Sequence, residues 1–491
     1  MSLNRSDGVN RIRGWAGSDG PQRFIAKQRG VRLLTAGFLL YAVGCCLEPA
    51  AHAGGVRIID GPIVLHGAIR QQWGGHTFGY LLEGKLGVFW SAAEYDPNEK
   101  LGQTHLIVGQ YPKPGCELTP ATTGIAIPST PYPSAQLRGA DAAWRVYNCN
   151  QPQMLRTPDG YLHIFFGASY LTGDDSFKPG RIRYCRSAKP EDISSLVDCT
   201  DSIPTAAYDC LHTRMNVGIS PDGKRMALVV LAWSRDMKFG FNTPVVFIGK
   251  RSGLGFSFAE PVKYAEPMGF FYPQVAATDA GIVLVGQDWD NHDRSFPRLM
   301  HIGWDGAMLH REDLPMDRDG TYMPVDMRPR DADWNRLLIY CSRTPKDKSG
   351  CAHDIWQYEL QTRRLHRLNS IACDYGVSNA AKLVAPFSGD VVFINNPCMG
   401  ELHSWEGGIL SGGRVDHSAI AGGQVQRLGY KSTAYVFVPS VLYGSVPTGG
   451  DFYLATDCAN ANWASGASGH WESGAPGPCS FLLWRMTGLP K

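Results

Sequence analysis

From about residue 60 onward, apolar positions come in short runs broken by clusters of Gly, Pro, Asp and Asn. No window keeps a three-to-four spacing for more than two or three helical turns, so the pattern predicts strands rather than helices. One unit recurs. Gln153–Arg156, the turn Thr157-Pro158-Asp159-Gly160 and Tyr161–Phe166 read as strand, turn, strand. Val217–Ile219, Ser220-Pro221-Asp222-Gly223 and Met226–Leu231 repeat it, and Gln274–Ala277, Thr278-Asp279-Ala280-Gly281 and Ile282–Gly286 do so again. Proline presets φ at the first central position, Asp bonds nearby amides, and Gly takes positive φ. A further apolar strand follows each hairpin: Ile182–Cys185, Val245–Ile248 and Leu299–Ile302.

Extending this rhythm divides the chain into seven units, at about 60–112, 144–200, 210–265, 270–315, 319–370, 373–430 and 431–485. Repeats of this size are expected to be four-stranded sheets arranged around an axis, an all-β β-propeller of seven blades, since radial repetition leaves few exposed edges. Six or eight blades, a β-sandwich array and a jelly roll are the alternatives. The expected domain division is a leader over 1–53 and a single propeller over 54–491.

Composition agrees. The 491 residues include 56 Gly and 32 Pro, with 11% aromatics and 19% charged residues. That excludes disorder, which needs few aromatics and high net charge, and a helical array, which needs little glycine. The net charge of +2 is uneven. Residues 1–53 hold seven Lys/Arg and three acids, and the rest holds 40 bases and 42 acids. The body therefore has no global field for nucleic acid or anionic membrane, and no nucleic-acid partner is expected.

The leader carries a second signal. Leu33–Leu47 is a 15-residue apolar run after basic residues, followed by Ala51-His52-Ala53. This order predicts a signal peptide cleaved after Ala53, a secreted or periplasmic protein, and no membrane span after cleavage. An uncleaved anchor is the alternative. Export leads to an expectation of disulfides. Proximity suggests pairs 116/149, 185/199, 341/351, 373/398 and 458/479, with Cys210 left over. There is no CxxC or CxxH spacing, so no zinc site is expected.

In a propeller, the starts of inner strands and the ends of second strands face one axial mouth. Those places hold His76, Asn150, His212, Arg214, Tyr272, Tyr322, Tyr375 and Asn379, and then Arg235, Trp289, His292 and Arg343. The densest polar stretch is Asp288–Arg294. No cofactor is called for, although a divalent cation such as calcium stays open through these carboxylates.

Gln151–Gly167 (QPQMLRTPDGYLHIFFG) and Arg181–Ile193 (RIRYCRSAKPEDI) carry a resemblance over about one blade. They resemble the bacterial-neuraminidase-repeat-like propellers that include ulvan lyases and related polysaccharide lyases. Where that family often has a His-Asn pair, this chain has Cys149 and Asn150, and Ser169 and Tyr170 stand near the place of a second histidine. The resemblance implies a propeller acting on a polysaccharide or oligosaccharide by β-elimination next to a uronic acid; a monomer is expected. Such a lyase needs a cation for the carboxylate, a base for the C5 proton and an acid for the leaving oxygen. Arg235, Arg343 or Arg214 would be the clamp, His292, His212 or His76 the base, and Tyr272 or Tyr322 the acid. His76, Arg214, Asn150, Tyr322, Tyr375, Asn379 and Trp289 would line the substrate site. Two other classes compete: a sialidase-like or arabinanase-like glycoside hydrolase using Asp288, Asp290 or Asp293, and a non-catalytic glycan- or protein-binding propeller. No Ser-x-Asp-x-Gly-x-x-Trp box, P-loop, Gly-x-Ser-x-Gly or HExxH occurs.

Overall fold

Successive antiparallel sheets make up the structure. The computed structural model describes residues 57–70, 79–95, 104–116, 145–171, 177–178, 182–204, 209–233, 243–264, 273–290, 294–315, 320–331, 333–345, 352–372, 382–384, 391–395, 405–406, 409–413, 424–427, 431–432, 440–441, 450–459 and 478–489. All of them belong to one compact unit, Ala51–Lys491.

The first sheet has strands Gly79–Glu83, Gly87–Tyr95 and Thr104–Pro112. The second has Arg145–Arg156, Leu162–Leu171, Ile182–Ser187 and Leu196–Asp198. The third has Asp209–Ile219, Arg225–Trp233, Thr243–Ser252 and Gly255–Phe258. The fourth has Gln274–Thr278, Gly281–Asp290, Arg294–Ile302 and Met308–Asp313. The fifth has Gly320–Pro329, Arg336–Pro345, Ala352–Glu359 and Arg364–Ala372. The sixth has Lys382–Val384, Val391–Asn395, Ile409–Gly413 and Gln424–Arg427. In each, neighbours in sequence pair antiparallel.

A closing sheet starts with Ser440–Val441, Gly450–Ala459 and Pro478–Leu489, and its outer strand comes from the other end of the chain. Arg57–Arg70 pairs with Pro478–Leu489 from Arg57↔Thr487 to Arg70↔Pro478. This corrects the first and last units expected from sequence, which gave residues 60–70 to the first sheet. Their link to it is the single bridge Ile69↔Glu94.

Strand alternation explains the stacking. Met226, Leu228 and Val230 face the second sheet's Leu155, Phe165 and Tyr184. Their neighbours Ala227 and Val229 face the fourth sheet's Ile282 and Leu284. Val283 and Val285 then meet the fifth sheet's Leu337, Ile339 and Tyr358. Leu65 and Leu483 of the closing sheet meet Leu81, Val88 and Trp90 of the first. The second, third and fourth sheets thus send alternate side chains to each neighbour, as a period of two requires. The first strands also touch in order, from Gly79–Glu83 through each sheet to Ser440–Val441, which returns to Gly79–Glu83. Face-to-face sheets around a closed circle of inner strands are a β-propeller.

Side-chain amides stitch the inner strands together. Gln153 donates to the Met215 carbonyl (2.7 Å) and accepts from the Val217 amide (3.0 Å). Asn216 donates to the Pro273 carbonyl (2.7 Å). The turns expected from sequence form as read: Gly160 N–H bonds Thr157 O and Gly223 N–H bonds Ser220 O, both at 2.8 Å, with φ of 96° and 69° at the glycines. The hydroxyl that opens each turn adds a bond not anticipated. Thr157 Oγ1 accepts from Tyr161 N–H, Ser220 Oγ from Arg225 N–H, and Thr278 Oγ1 from Gly281 N–H.

The proposed 185/199 disulfide is absent: both residues are thiols. Cys185 is buried toward the first sheet with Met154 and Ile164, while Cys199 packs on the opposite face against the third-sheet cluster. Alternation sends the two sulfurs apart. Cys116 and Cys341 are also thiols. Their expected partners and the remaining pairs involve cysteines whose side chains lie outside the described residues.

Candidate functional site

The Pro-Asp-Gly turns mark one end of the sheets, and the candidate site lies at the other, where inner strands begin and second strands finish. The fifth sheet shows this end with its side chains. Tyr322 lies directly opposite Arg343, and Cys341 directly opposite Asp354, which in turn faces Ser370. Residues opposite one another share a face. Tyr322, Cys341, Arg343, Asp354 and Trp356 therefore project together toward the fourth sheet, and Tyr322, Cys341 and Trp356 join its core cluster.

A carboxylate organises this group. Asp354, 1% exposed, accepts from Tyr322 Oη–H at 2.8 Å and pairs with Arg343 Nε at 3.4 Å. Trp356 Nε1–H donates to the same tyrosine oxygen at 2.5 Å. Arg343 Nη2 reaches Ser370 Oγ at 3.3 Å, and 14% of the arginine side chain is exposed. Burial, then the neighbouring Cys341 and Asp354, push the Tyr322 phenol far above its ordinary pKa. Burial and Asp354 likewise raise the Cys341 thiol. Both groups stay protonated.

Arg343 is thus where the sequence placed it, at the end of a second strand. Tyr322 is at the start of an inner strand as expected, but it is 0% exposed and its hydroxyl is engaged in the core. This corrects its assignment as an acid or substrate contact: it stands behind Arg343 as a support. Asn150, His212, Arg214 and Trp289 lie on the strands Arg145–Arg156, Asp209–Ile219 and Gly281–Asp290, of which only the backbone is described at those positions. Trp289 is one place before the end of its strand and His212 is near the start of its strand, whereas Asn150 and Arg214 fall mid-strand rather than at the strand starts expected from sequence. His76, Arg235, Tyr272, His292, Tyr375 and Asn379 lie outside the described residues, as do residues 1–53, where a leader and cleavage site were expected. Among the described residues, no group of three or more His, Cys, Asp or Glu can hold a metal ion, and no helix is long and apolar enough to cross a membrane.

Sequence reasoning missed Asp354. The signal was a lone acid alternating with Trp356 and Tyr358 on an apolar face. It also missed a recess of about 410 Å3 at the outer rim between the second and third sheets. Arg186, Asp198, Asp201, Ser202, Ser252 and Ser257 line it, above the buried Phe256.

Comparison with known proteins gives fold-level likenesses alone. No family model matches, and no curated protein sequence matches. An oligogalacturonate lyase solved with manganese is 9% identical, covering 85% of this chain and 99% of that one, with a TM-score of 0.37. An α-L-arabinofuranosidase from Fusarium graminearum, solved with an iminosugar inhibitor, is 10% identical over 68% of this chain and 91% of its own, with a TM-score of 0.39. A neuraminidase-like protein of a flat-faced bat isolate from Peru is 8% identical over 70% and 88%, also with a TM-score of 0.39.

Proposed function

We propose that this chain is an exported, seven-bladed, carbohydrate-active propeller that cleaves a polysaccharide next to a uronic acid by β-elimination. The observation that supports it best is Arg343, a partly exposed guanidinium at the axial end of a second strand, backed by a buried carboxylate. Arginine can take a carboxylate through two N–H donors. The uronate carboxylate would dock on Arg343, with Arg235 or Arg214 as additional cations. Neutralising that group makes the adjacent C5–H acidic, because the charge left on deprotonation spreads into the paired carboxylate. His292, His212 or His76 then removes the C5 proton. The C5–H electron pair forms the C4–C5 double bond, the C4–O bond breaks, and Tyr272 protonates the leaving oxygen. Asn150, Tyr375, Asn379 and Trp289 supply subsites along the chain of sugars.

The test is digestion of uronate-containing polysaccharides, followed by the ultraviolet absorbance of the conjugated unsaturated product. Wild type should generate it, and Arg343→Ala should lose at least about 100-fold in kcat/KM while remaining folded, as for removal of a key charge-stabilising donor. Reducing ends without that absorbance would assign a hydrolase instead. Saturable binding without turnover would assign a binding module.

A further inference from the structure

Asp354 has an unusual environment for a residue of no function. Its Oδ2 takes the Tyr322 hydroxyl at 2.8 Å and Arg343 Nε at 3.4 Å, while Oδ1 is buried with no hydrogen-bond partner among the described residues. A carboxylate kept in an apolar interface with one oxygen unpaired lowers stability relative to a neutral, well-packed side chain. Its neighbours on that face are Cys341, Trp356 and Tyr358, which gain nothing from a charge. What the charge does serve is Arg343.

The geometry says how. The hydrogen bond to Asp354 comes from Tyr322, whose oxygen is in turn held by Trp356 Nε1–H, so the tyrosine anchors Asp354 from behind, while Arg343 Nε meets the same oxygen as a longer ion pair. Arg343 Nε turns toward that fixed charge, and Nη2 toward Ser370, the residue directly opposite Asp354 on the outer strand. Nε and Nη2 lie on one edge of the guanidinium plane. The protein therefore grips that edge and fixes the plane in which the head group can meet an incoming anion.

We propose that Asp354, anchored by Tyr322 and Trp356, is the positioning residue that aims Arg343 at a substrate carboxylate, and so sets a preference for uronate over the corresponding neutral sugar or ester. This rests on the functional reading above. Tyr322 acts through Asp354, and Asp354 acts through Arg343. None of the three needs another group to carry a proton in the step.

The experiment compares a uronate oligosaccharide with its methyl ester, by calorimetric binding and by KM and kcat, for wild type, Asp354→Asn, Tyr322→Phe and Arg343→Ala. Melting curves establish that each variant is folded. Wild type should bind the free acid more tightly than the ester. Asp354→Asn should weaken binding of the acid and raise its KM about tenfold, the scale of one lost charged contact, leave the ester unchanged, and change kcat less than KM. Tyr322→Phe should shift the same selectivity in the same direction by a smaller factor, which keeps the test open if Asp354→Asn does not fold. Equal losses for acid and ester in both variants would overturn the inference, since a merely structural role weakens both. Acid selectivity that survives Asp354→Asn and Tyr322→Phe but disappears in Arg343→Ala would overturn it while sparing the functional reading. No binding of either ligand by wild type would overturn both.

Discussion

Acid should destabilise this propeller through buried neutral histidines, and His163 provides the clearest case. It lies on the strand Leu162–Leu171, is 0% exposed, and has Nδ1 2.8 Å from the Tyr184 hydroxyl. Phe256 packs edge-on against it at 5.1 Å between ring centres. Burial raises the Tyr184 phenol well above its usual range, so a protonated hydroxyl faces Nδ1, and the imidazole beside it is neutral. Burial, followed by the charges of Arg251 and Arg186, lowers its pKa to about 3. Unfolded histidine titrates near 6.5. Between those values the unfolded chain binds more protons than the folded one, so stability falls as pH drops below about 6.5 and levels off near pH 3. At pH 5 the interval is about 1.5 units, or about 2 kcal/mol.

His301 repeats the arrangement, with Nδ1 3.0 Å from the Tyr358 hydroxyl and a pKa lowered by burial to about 4. The two together cost about 4 kcal/mol at pH 5, a large part of the roughly 5–15 kcal/mol that holds a typical domain together. The assay is urea unfolding at pH 7 and pH 5 for wild type and His163→Gln. Glutamine keeps a polar partner for the Tyr184 hydroxyl, able to donate or accept, but does not titrate. The variant should start less stable at pH 7 and then lose about 2 kcal/mol less than wild type on acidification. An equal loss in both proteins would refute the reasoning, because the proton uptake would then lie elsewhere.

Two further substitutions test packing, one between sheets and one across neighbouring strands of the first sheet. Glu191 of the second sheet accepts from the backbone amides of Lys85 and Leu86 in the first (2.9–3.2 Å) and from Arg156 Nε (2.7 Å). Glu191→Ala should cost about 2–4 kcal/mol in urea unfolding at pH 7, more than a neutral hydrogen bond, since a cation and turn amides lose their acceptor together. Gly109→Ala would bring a methyl group to 2.2 Å from the fully buried Trp90 ring. It should cost at least about 1–3 kcal/mol and alter tryptophan fluorescence, as overpacking demands.

What the sequence disclosed and what it withheld follow from how far apart the responsible residues lie. The Thr157–Gly160 and Ser220–Gly223 turns were legible because four adjacent residues contain all of the chemistry. The third strands were legible because Val245–Ile248 is continuously apolar, as a strand buried on both faces must be. Ring closure was not, because Arg57–Arg70 and Pro478–Leu489 carry no mark of pairing across the length of the chain. The 185/199 disulfide failed for a related reason: nearness in sequence says nothing about which face a strand residue takes.

The same limit applies at the candidate site, where it has a chemical consequence. Arg343 was found from its position at the end of a strand, but the residues that hold it come from three other strands: Tyr322, Asp354 and Ser370. Only register unites them, since 322 lies opposite 343, and 354 opposite both 341 and 370. At the turn end, local hydrogen bonds of the chain fix each residue, so a motif describes it. At the axial end, sheet pairing fixes each residue, and the constellation exists only after folding. A charged residue on the apolar face of a strand is the trace such a constellation leaves in sequence. In Ala352–Glu359 that trace is Asp354, two places before Trp356, and the buried carboxylate rather than the partly exposed arginine is the departure from pattern that points to the site.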